Sequence, residues 1–352
     1  MNLGNNRRIG GQRTAWWVLY AGICCVALYG VASAATGGPQ PAPQPERSWE
    51  NYFGVAILPS GRAIVVGDKG VVMTTEDQGR TWTRQQLVRD GKYYDLYSLA
   101  FTADGARGWV VGDNSSIFRT DDHGTTWVPQ KAPAGTMGAL LKVAVADAQS
   151  ACASGEHGII LCTSDGGSTW TMQKFQDLGF FDIAMTNPTN AWAVGEFSTV
   201  LHTDDAGKSW KVQAGGDRMG KPDPLFAIAF ADTNNALAVG LTGSSLVTSD
   251  GGKSWKPADL SVGHRSFYTV SPVPAKPDEY YAGGEEGVAA LITDGRVSRV
   301  DSGTSNAITS SAFSPRFALA VGLSGTLMRS DDGGQHWSSV TSREQALQTW
   351  AQ

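Results

Sequence analysis

The residues whose types and spacing could do chemistry are aspartates. Each stands third in an eight-residue frame, T-x-D-x-G-x-[TS]-W, first seen as Thr75-Glu76-Asp77-Gln78-Gly79-Arg80-Thr81-Trp82. The frame returns at Thr120–Trp127, Thr163–Trp170, Thr203–Trp210 and Thr248–Trp255, and once more at Ser330–Trp337 with His336 in the penultimate place. Carboxylates repeated in one setting (Asp77, Asp122, Asp165, Asp205, Asp250, Asp332) invite a general acid–base reading, because paired Asp or Glu side chains carry glycoside hydrolysis. The neighbours of each Asp point elsewhere. An Asp carboxylate accepts hydrogen bonds from backbone N–H groups of its own turn. Gly supplies the positive φ that such a turn needs, and the Trp that follows is packing material. Every residue of the frame has a task in a turn, so these aspartates are read as structural.

A seventh copy is decayed. Asp294 survives, but Arg296 and Arg299 stand where the Gly and Trp are expected. The outer edge of that unit is therefore expected to be irregular.

Little else in the chain offers chemistry. The five His residues share no common position in the frame, and His336 is a variant of it. No metal ligand set, Gly-rich phosphate loop or cofactor site emerges, so no cofactor and no catalytic residue is assigned. With 28 Lys and Arg against 33 Asp and Glu, the net charge is −5, which gives no basis for nucleic-acid binding. Two cysteines, Cys152 and Cys162, lie in the repeat region. They flank the Gly155–Gly158 hairpin, where a three-residue turn would set them opposite one another and a two-residue turn would offset them. A disulfide in an oxidising compartment and two buried thiols both fit.

The frame is positioned by a larger repeat. Fifteen residues before each intact frame's Trp stands a Gly that ends an apolar run: Gly67, Gly112, Gly155, Gly195, Gly240 and Gly322. Gly284 fills the place in the decayed copy, and the steps between these glycines are 45, 43, 40, 45, 44 and 38 residues. A period near that length suits a four-stranded propeller blade. In residues 94–129 the strands read Tyr94–Thr102, Gly108–Gly112, Ile117–Thr120 and Thr125–Pro129, separated by turn signals. The first strands of the other units are placed at Phe53–Leu58, Ala139–Val145, Phe180–Met185, Pro224–Phe230, Ser266–Val270 and Ala307–Phe313. The expected fold is all-β: a seven-bladed β-propeller of four-stranded blades over 48–342, with a C-terminal tail over 343–352. Ring closure normally mixes N- and C-terminal strands in one blade, and the last residues offer a strand or short helix for that.

Residues 1–34 carry Arg7, Arg8 and Arg13, an apolar run over 14–31, and Ala32-Ser33-Ala34. They read as a secretory signal peptide or an uncleaved membrane anchor. Either places the remainder outside the cytoplasm, and the expected location is the periplasm. Residues 35–47 are rich in Pro, Gly and Gln and read as a tether.

In a propeller the hairpins between second and third strands, and the connectors between blades, share one face. The Asp frames lie at the opposite rim. Two groups on the connector face are candidates for partner binding. Asp68, Asp113, Glu156, Glu196 and Glu285 directly follow the conserved-position Gly of their hairpins, with Glu286 beside the last, and could form an acidic collar. The longest connectors bring Arg89, Tyr93, Tyr94, Arg218, Lys221, His264, Arg265 and Phe267, types that dominate interface energetics.

With the frames placed, Ala191-Trp192-Ala193-Val194-Gly195 and Ala236-Leu237-Ala238-Val239-Gly240-Leu241-Thr242-Gly243, each followed by its Asp frame, resemble the BNR/Asp-box repeats of the photosystem II stability and assembly factor family. The resemblance covers all seven units over 49–340. It implies a propeller that binds proteins during assembly of a membrane complex, as photosynthetic members do. Those members are associated with an arginine-rich patch, whereas arginines are scattered here. A bacterial, periplasmic relative is implied, a monomer whose client is a membrane complex or transporter subunit. Asp boxes also occur in sialidases and other glycoside hydrolases. The Phe-Arg-Ile-Pro start is absent, and Arg119 and Arg329 sit in third strands. The expected function is a non-catalytic accessory factor. The alternative is a carbohydrate-binding or glycoside-hydrolysing protein.

Overall fold

A computed structural model describes residues 50–340, except 176–177, 216–222, 261–263, 275 and 277. The leader, the Pro-rich tether and the C-terminal tail lie outside the described residues.

The unit spanning Ser48–Gln352 folds into seven four-stranded antiparallel sheets, each built from one contiguous stretch of chain. Blade one is β1 (Tyr52–Ile57), β2 (Ala63–Gly67), β3 (Val71–Thr75) and β4 (Thr83–Gln86). The first strands of the following blades are β5 (Leu96–Phe101), β9 (Leu140–Val145), β13 (Phe180–Met185), β17 (Leu225–Phe230), β21 (Phe267–Pro272) and β25 (Ile308–Phe313). These first strands neighbour one another around the ring, and β25 returns to β1. The chain is a seven-bladed β-propeller.

Burial follows position in the blade. Six of the seven second strands, among them Ala63–Gly67 and Ala236–Gly240, are buried at every residue, and the seventh at all but Glu279, because neighbouring blades cover both faces. The fourth strands are largely exposed, as in Thr83–Gln86. The apolar clusters accordingly lie between blades: one joins Trp109 of blade two to Leu140 and Leu161 of blade three.

The repeated Gly closes the second strand for a steric reason. A Cβ on Gly67 would stand 2.1 Å from the Asn51 carbonyl oxygen, and one on Gly195 would stand 1.9 Å from the Gly179 oxygen. The N–H of the next residue donates to that same carbonyl, as in Asp68 to Asn51 at 3.0 Å and Glu196 to Gly179 at 3.1 Å. A side chain at these glycines would separate the hairpin from the entry to its own first strand.

The Asp frames are turns. Asp77 accepts from the Thr81 N–H at 2.8 Å and from the hydroxyls of Thr75 and Thr81 at 2.8 and 2.7 Å, while Thr75 accepts from the Gly79 N–H at 2.8 Å. Each box Trp then packs against the preceding blade. The Gly252 of blade five lies against the Trp192 ring of blade four, where a Cβ would approach to 2.3 Å.

Blade six departs from the expected irregular edge. Asp294 and Gly295, with φ of 50 and 73°, form a two-residue turn of the kind that joins hairpin strands directly. The eight-residue frame is skipped, and β24 (Arg296–Val300) pairs with β23 (Ala289–Thr293) over five residues. This fourth strand is regular and longer than the Lys256–Pro257 strand of blade five. The chain between the third and fourth strands is shorter there, so the frame does not keep the register of its siblings.

Ring closure also differs from expectation. Among the described residues no strand crosses from one end of the chain into the blade of the other. Blades seven and one are joined by loop and side-chain contacts. The Gly325 N–H donates to the Glu50 carbonyl at 2.8 Å, the Ser324 N–H to the Asn51 side chain at 2.9 Å, and the Thr309 hydroxyl to the Tyr52 carbonyl at 2.6 Å.

Cys152 and Cys162 are directly opposite on adjacent strands, since the hairpin between them is the three-residue turn Glu156-His157-Gly158. Their Cα atoms are 4.1 Å apart and their sulfurs are bonded.

Candidate functional site

The hairpins and blade connectors gather on one face, because each fourth strand ends beside the start of its third. Gln86 pairs with Val71, and Lys174 with Ile159. The acids of the expected collar sit there, and the structure gives most of them a backbone partner. Asp68 accepts from the Asn51 N–H at 2.8 Å, Glu156 from Ala139 at 2.9 Å, Glu196 from Gly179 at 2.9 Å and Glu285 from Ser266 at 3.1 Å. Each carboxylate thus ties the hairpin tip to the entry of its own first strand. Asp113 accepts from the Asn114 N–H within its own turn at 2.6 Å. Burial pushes the Asp68 carboxyl above the ordinary carboxylate range despite the Asn51 donors, and the nearby Asp95 and Glu50 add to that. Glu286 is at the tip of its hairpin with positive φ and forms an ion pair with Arg265.

The connector residues divide. Arg89 lies over the Tyr94 ring at 4.9 Å and donates to the Asn114 carbonyl at 2.7 Å, so this pair braces blade one against blade two. Tyr93 beside it is 54% exposed. His264 occupies a positive-φ position before Arg265. Phe267 is fully buried in the cluster between blades five and six and presents no surface to a partner. Its place as the first residue of β21 explains the burial. Arg218 and Lys221 lie outside the described residues.

Sequence reasoning missed two features of this face. The first is a girdle of aromatic side chains. In every blade the pairing of first and second strands skips the second residue of the first strand, as between Tyr52 and Gly54 or Phe180 and Asp182. The skipped residues are Phe53, Tyr97, Leu141, Phe181, Phe226, Tyr268 and Thr309. Neighbours meet edge to face around the inner ring: Phe53 with Tyr97 at 5.3 Å and Phe181 with Phe226 at 5.4 Å. Burial, then the charge of Glu285, pushes the Tyr268 hydroxyl up to about 12. The signal was present as an aromatic or apolar residue at the second place of six first strands, but simple alternation assigns that place no special role.

The second is exposed apolar surface. Val88, Tyr93, Met137 and Phe197 are among the exposed large apolar residues, and all four sit on this face. Phe197 is at the tip of the blade-four hairpin with φ of 57°, a conformation that a bulky residue adopts at a cost. Phe197 is 42% exposed at a place where the other hairpin tips carry Lys69, Asn114, His157, Thr242, Glu286 and Ser324.

No arrangement for bond-breaking chemistry is formed by the frames. The six box carboxylates are spent on their own turns, and each is held at a pKa of about 2. In Asp165, Asp205 and Asp250 the leading cause is the hydroxyl of Thr169, Ser209 or Ser254, followed by the backbone N–H of that residue. In Asp77, Asp122 and Asp332 burial pushes upward and the hydrogen bonds overcome it. Asp182 is the buried acid of the inner ring. It accepts from the Ile183 and Ile228 N–H groups at 2.7 and 3.0 Å and faces Lys142 of blade three at 3.7 Å, so it joins blade to blade. Among the described residues no group of three His, Cys, Asp or Glu side chains could hold a metal ion.

Residues 49–174, the first three blades, match the family model described as photosynthesis system II assembly factor YCF48. No curated protein matches the chain in sequence. Among solved structures, YCF48 bound to a D1 peptide aligns with a TM-score of 0.65 and 19% identity, covering 80% of this chain and 94% of that one. A GH74 xyloglucanase from Xanthomonas campestris aligns at 0.64 and 14% identity, over 83% of this chain and 54% of that one. The WD40 repeats of RRP9 align at 0.63 and 12% identity, over 78% and 88%. At these identities the structural likeness is one of fold alone. In repeat and in fold the chain is similar to the photosystem II assembly factor family.

Proposed function

We propose that this propeller is a non-catalytic protein-binding factor that assists a membrane complex, and that it engages its client through the connector face. The observation that carries the reading is the exposed apolar set Tyr93, Met137 and Phe197 beside the carboxylates of the hairpins. Interface centres are rich in aromatic side chains and are bordered by a polar rim. The likeness of residues 49–174 to the YCF48 family model, and a YCF48 structure that holds a D1 peptide, support the same direction. The client is a segment of a membrane complex or transporter subunit with basic residues to meet the acids. The N-terminal segment 1–34 supports export to the periplasm, with the propeller free or anchored. Protease protection in intact spheroplasts tests the location: digestion of the propeller only after the inner membrane is opened would refute it.

The function is tested with the variant Tyr93→Ser, Met137→Ser, Phe197→Gly. Cross-linking in cells followed by mass spectrometry is expected to recover membrane-protein subunits with the native chain and to lose them with the variant. The same subunits captured by both would sink the proposal. Phe197→Gly alone is expected to raise stability by about 1 kcal/mol, because Gly removes the left-handed strain. A gain in stability with a loss of capture is the signature of a residue held for contact.

A further inference from the structure

The interface between blades five and six contains a cavity of about 320 Å³ at the outer rim. Leu237, Val247, Leu260, Tyr280 and Ile292 are among the residues that line it. At the sister interfaces a box Trp fills this place: Trp127 packs on the Ile64 cluster of blade one, Trp170 joins Trp109 of blade two, and Trp255 joins Trp192 of blade four. The box Gly of blade two packs on Ile64 of blade one, that of blade three on Trp109 of blade two, and that of blade five on Trp192 of blade four. Ile64, Trp109, Trp192 and Leu237 are all second residues of second strands. Leu237 is therefore the seat on which the Trp of blade six would rest.

Blade six supplies a smaller side chain. In blade five Phe230, Ala236 and Thr248 stand abreast across three strands, and Trp255 precedes Lys256, which pairs with Val247. In blade six Pro272, Tyr280 and Ile292 stand abreast, and Ile292 pairs with Val297. Val297 thus holds the place of the Trp, and it packs against the Leu237 and Leu260 cluster. An apolar cavity of about 150 Å³ takes up benzene, so the larger one here has room for an indole. Its mouth is acidic: Asp278 and Asp294 lie on the rim, with Lys256 as the opposing charge. Asp232 also stands close to Tyr280.

We propose that this cavity is a docking pocket for a tryptophan side chain of a partner protein, flanked in its own sequence by basic residues. The fold builds the same seat around its ring and leaves this one to be filled from outside. A buried aromatic anchor in a pocket is the strongest kind of interface contact, and the acidic rim favours cationic neighbours. The inference stands on the packing of the blades and does not depend on the client proposed above, whose contact face is the opposite one.

The probe is the peptide acetyl-Lys-Trp-Lys-amide, with acetyl-Lys-Ala-Lys-amide as its control. Methyl NMR of the full chain is expected to show shifts at Leu237, Val247, Leu260 and Ile292 with the Trp peptide only. Val297→Trp fills the pocket from within and is expected to weaken binding at least about tenfold. Val297→Phe takes its place if the larger residue prevents folding. Asp278→Asn with Asp294→Asn leaves the turn intact and is expected to weaken binding roughly two- to fivefold. No shift at these methyls, equal shifts with the Ala peptide, or unchanged binding in Val297→Trp would overturn the proposal. Two further outcomes would also overturn it by assigning the pocket another occupant. These are shifts at the same methyls on Trp350→Ala without peptide, which would place the chain's own tail there, and shifts that grow with protein concentration, which would place a second copy there.

Discussion

Blades five and six share an interface and differ in how each finishes its third strand. Blade five turns through an eight-residue frame and lays Trp255, 7% exposed, into the cluster around Trp192 of blade four, with Phe230 of its own first strand 6.4 Å away. Blade six turns through Asp294-Gly295 and returns at once into a paired fourth strand. One solution joins a blade to its neighbour with a large side chain, and the other completes the sheet internally and leaves the neighbour's seat open. The difference teaches that the Asp box is a device for blade-to-blade adhesion, since a blade can form its four strands without it.

The largest test of that contrast removes a box Trp. Trp170→Ala is expected to lower the unfolding free energy by about 3–5 kcal/mol, because Trp170 is buried against Trp109 and shares the Gln130 carbonyl with it at 3.2 Å. Val297→Ala, at the same place in blade six, is expected to cost about 1 kcal/mol. Equal costs in urea denaturation would break the comparison. Blade three has a second tie that the others lack. Reducing Cys152–Cys162, or replacing both with Ala, opens a covalent loop with a sequence separation of 10. A loop of that size is worth about 3 kcal/mol in the chain-entropy account, and the loss should appear first in hydrogen exchange of the strands Ala151–Gly155 and Ile159–Thr163.

Smaller effects separate the turns themselves. Asp122→Ala leaves the Thr126 N–H, now bonded at 2.8 Å, without its acceptor and is expected to cost about 1–2 kcal/mol, the range for losing a capping side chain. Acid should act in the same way on all six frames. Their folded pKa of about 2 lies below the unfolded value near 4, so the stabilisation is complete above pH 4 and is lost as pH falls towards 2. Exchange at pH 2.5 should therefore loosen the outer edges of the box-bearing blades while the β23–β24 ladder holds. The smallest expected change is a gain: Val297→Trp fills the cavity and should raise stability by about 1 kcal/mol. A loss instead would show that the seat over Leu237 does not match the others.

The repeat made most of the fold legible. Seven glycines at a near-constant step located the second strands, because the Asn51-type carbonyl excludes any Cβ there, and the apolar runs before them could only be buried strands. The first strands fell within about two residues of their expected ends, whereas the pattern left the turn between the cysteines open between two and three residues, and the structure has three. Blade six was misjudged because a repeat invites alignment at fixed length, whereas a two-residue Asp-Gly turn conserves the ladder and discards the frame. The aromatic girdle was illegible for a related reason. Phe53 and its counterparts sit where the ladder slips by one residue, and pairing slips leave no mark in hydrophobic alternation. On the connector face, composition could nominate Tyr93 and the hairpin acids, but it could not distinguish exposed Phe197 from buried Phe267. That distinction depends on one being a hairpin tip and the other the first residue of a strand.

Among the described residues each blade is a single uninterrupted stretch of chain, and the seam between blades seven and one is made by Glu50, Asn51 and Thr309 contacts with no shared sheet. The propeller is therefore modular in a sense that strand-exchanged rings are not. The point where the polypeptide starts is interchangeable among the connectors, so circular permutants opened between any two blades should rebuild the same ring. The same seam makes blade number open to change by duplication or loss of one coding unit, since each described blade takes all four of its strands from its own stretch of chain.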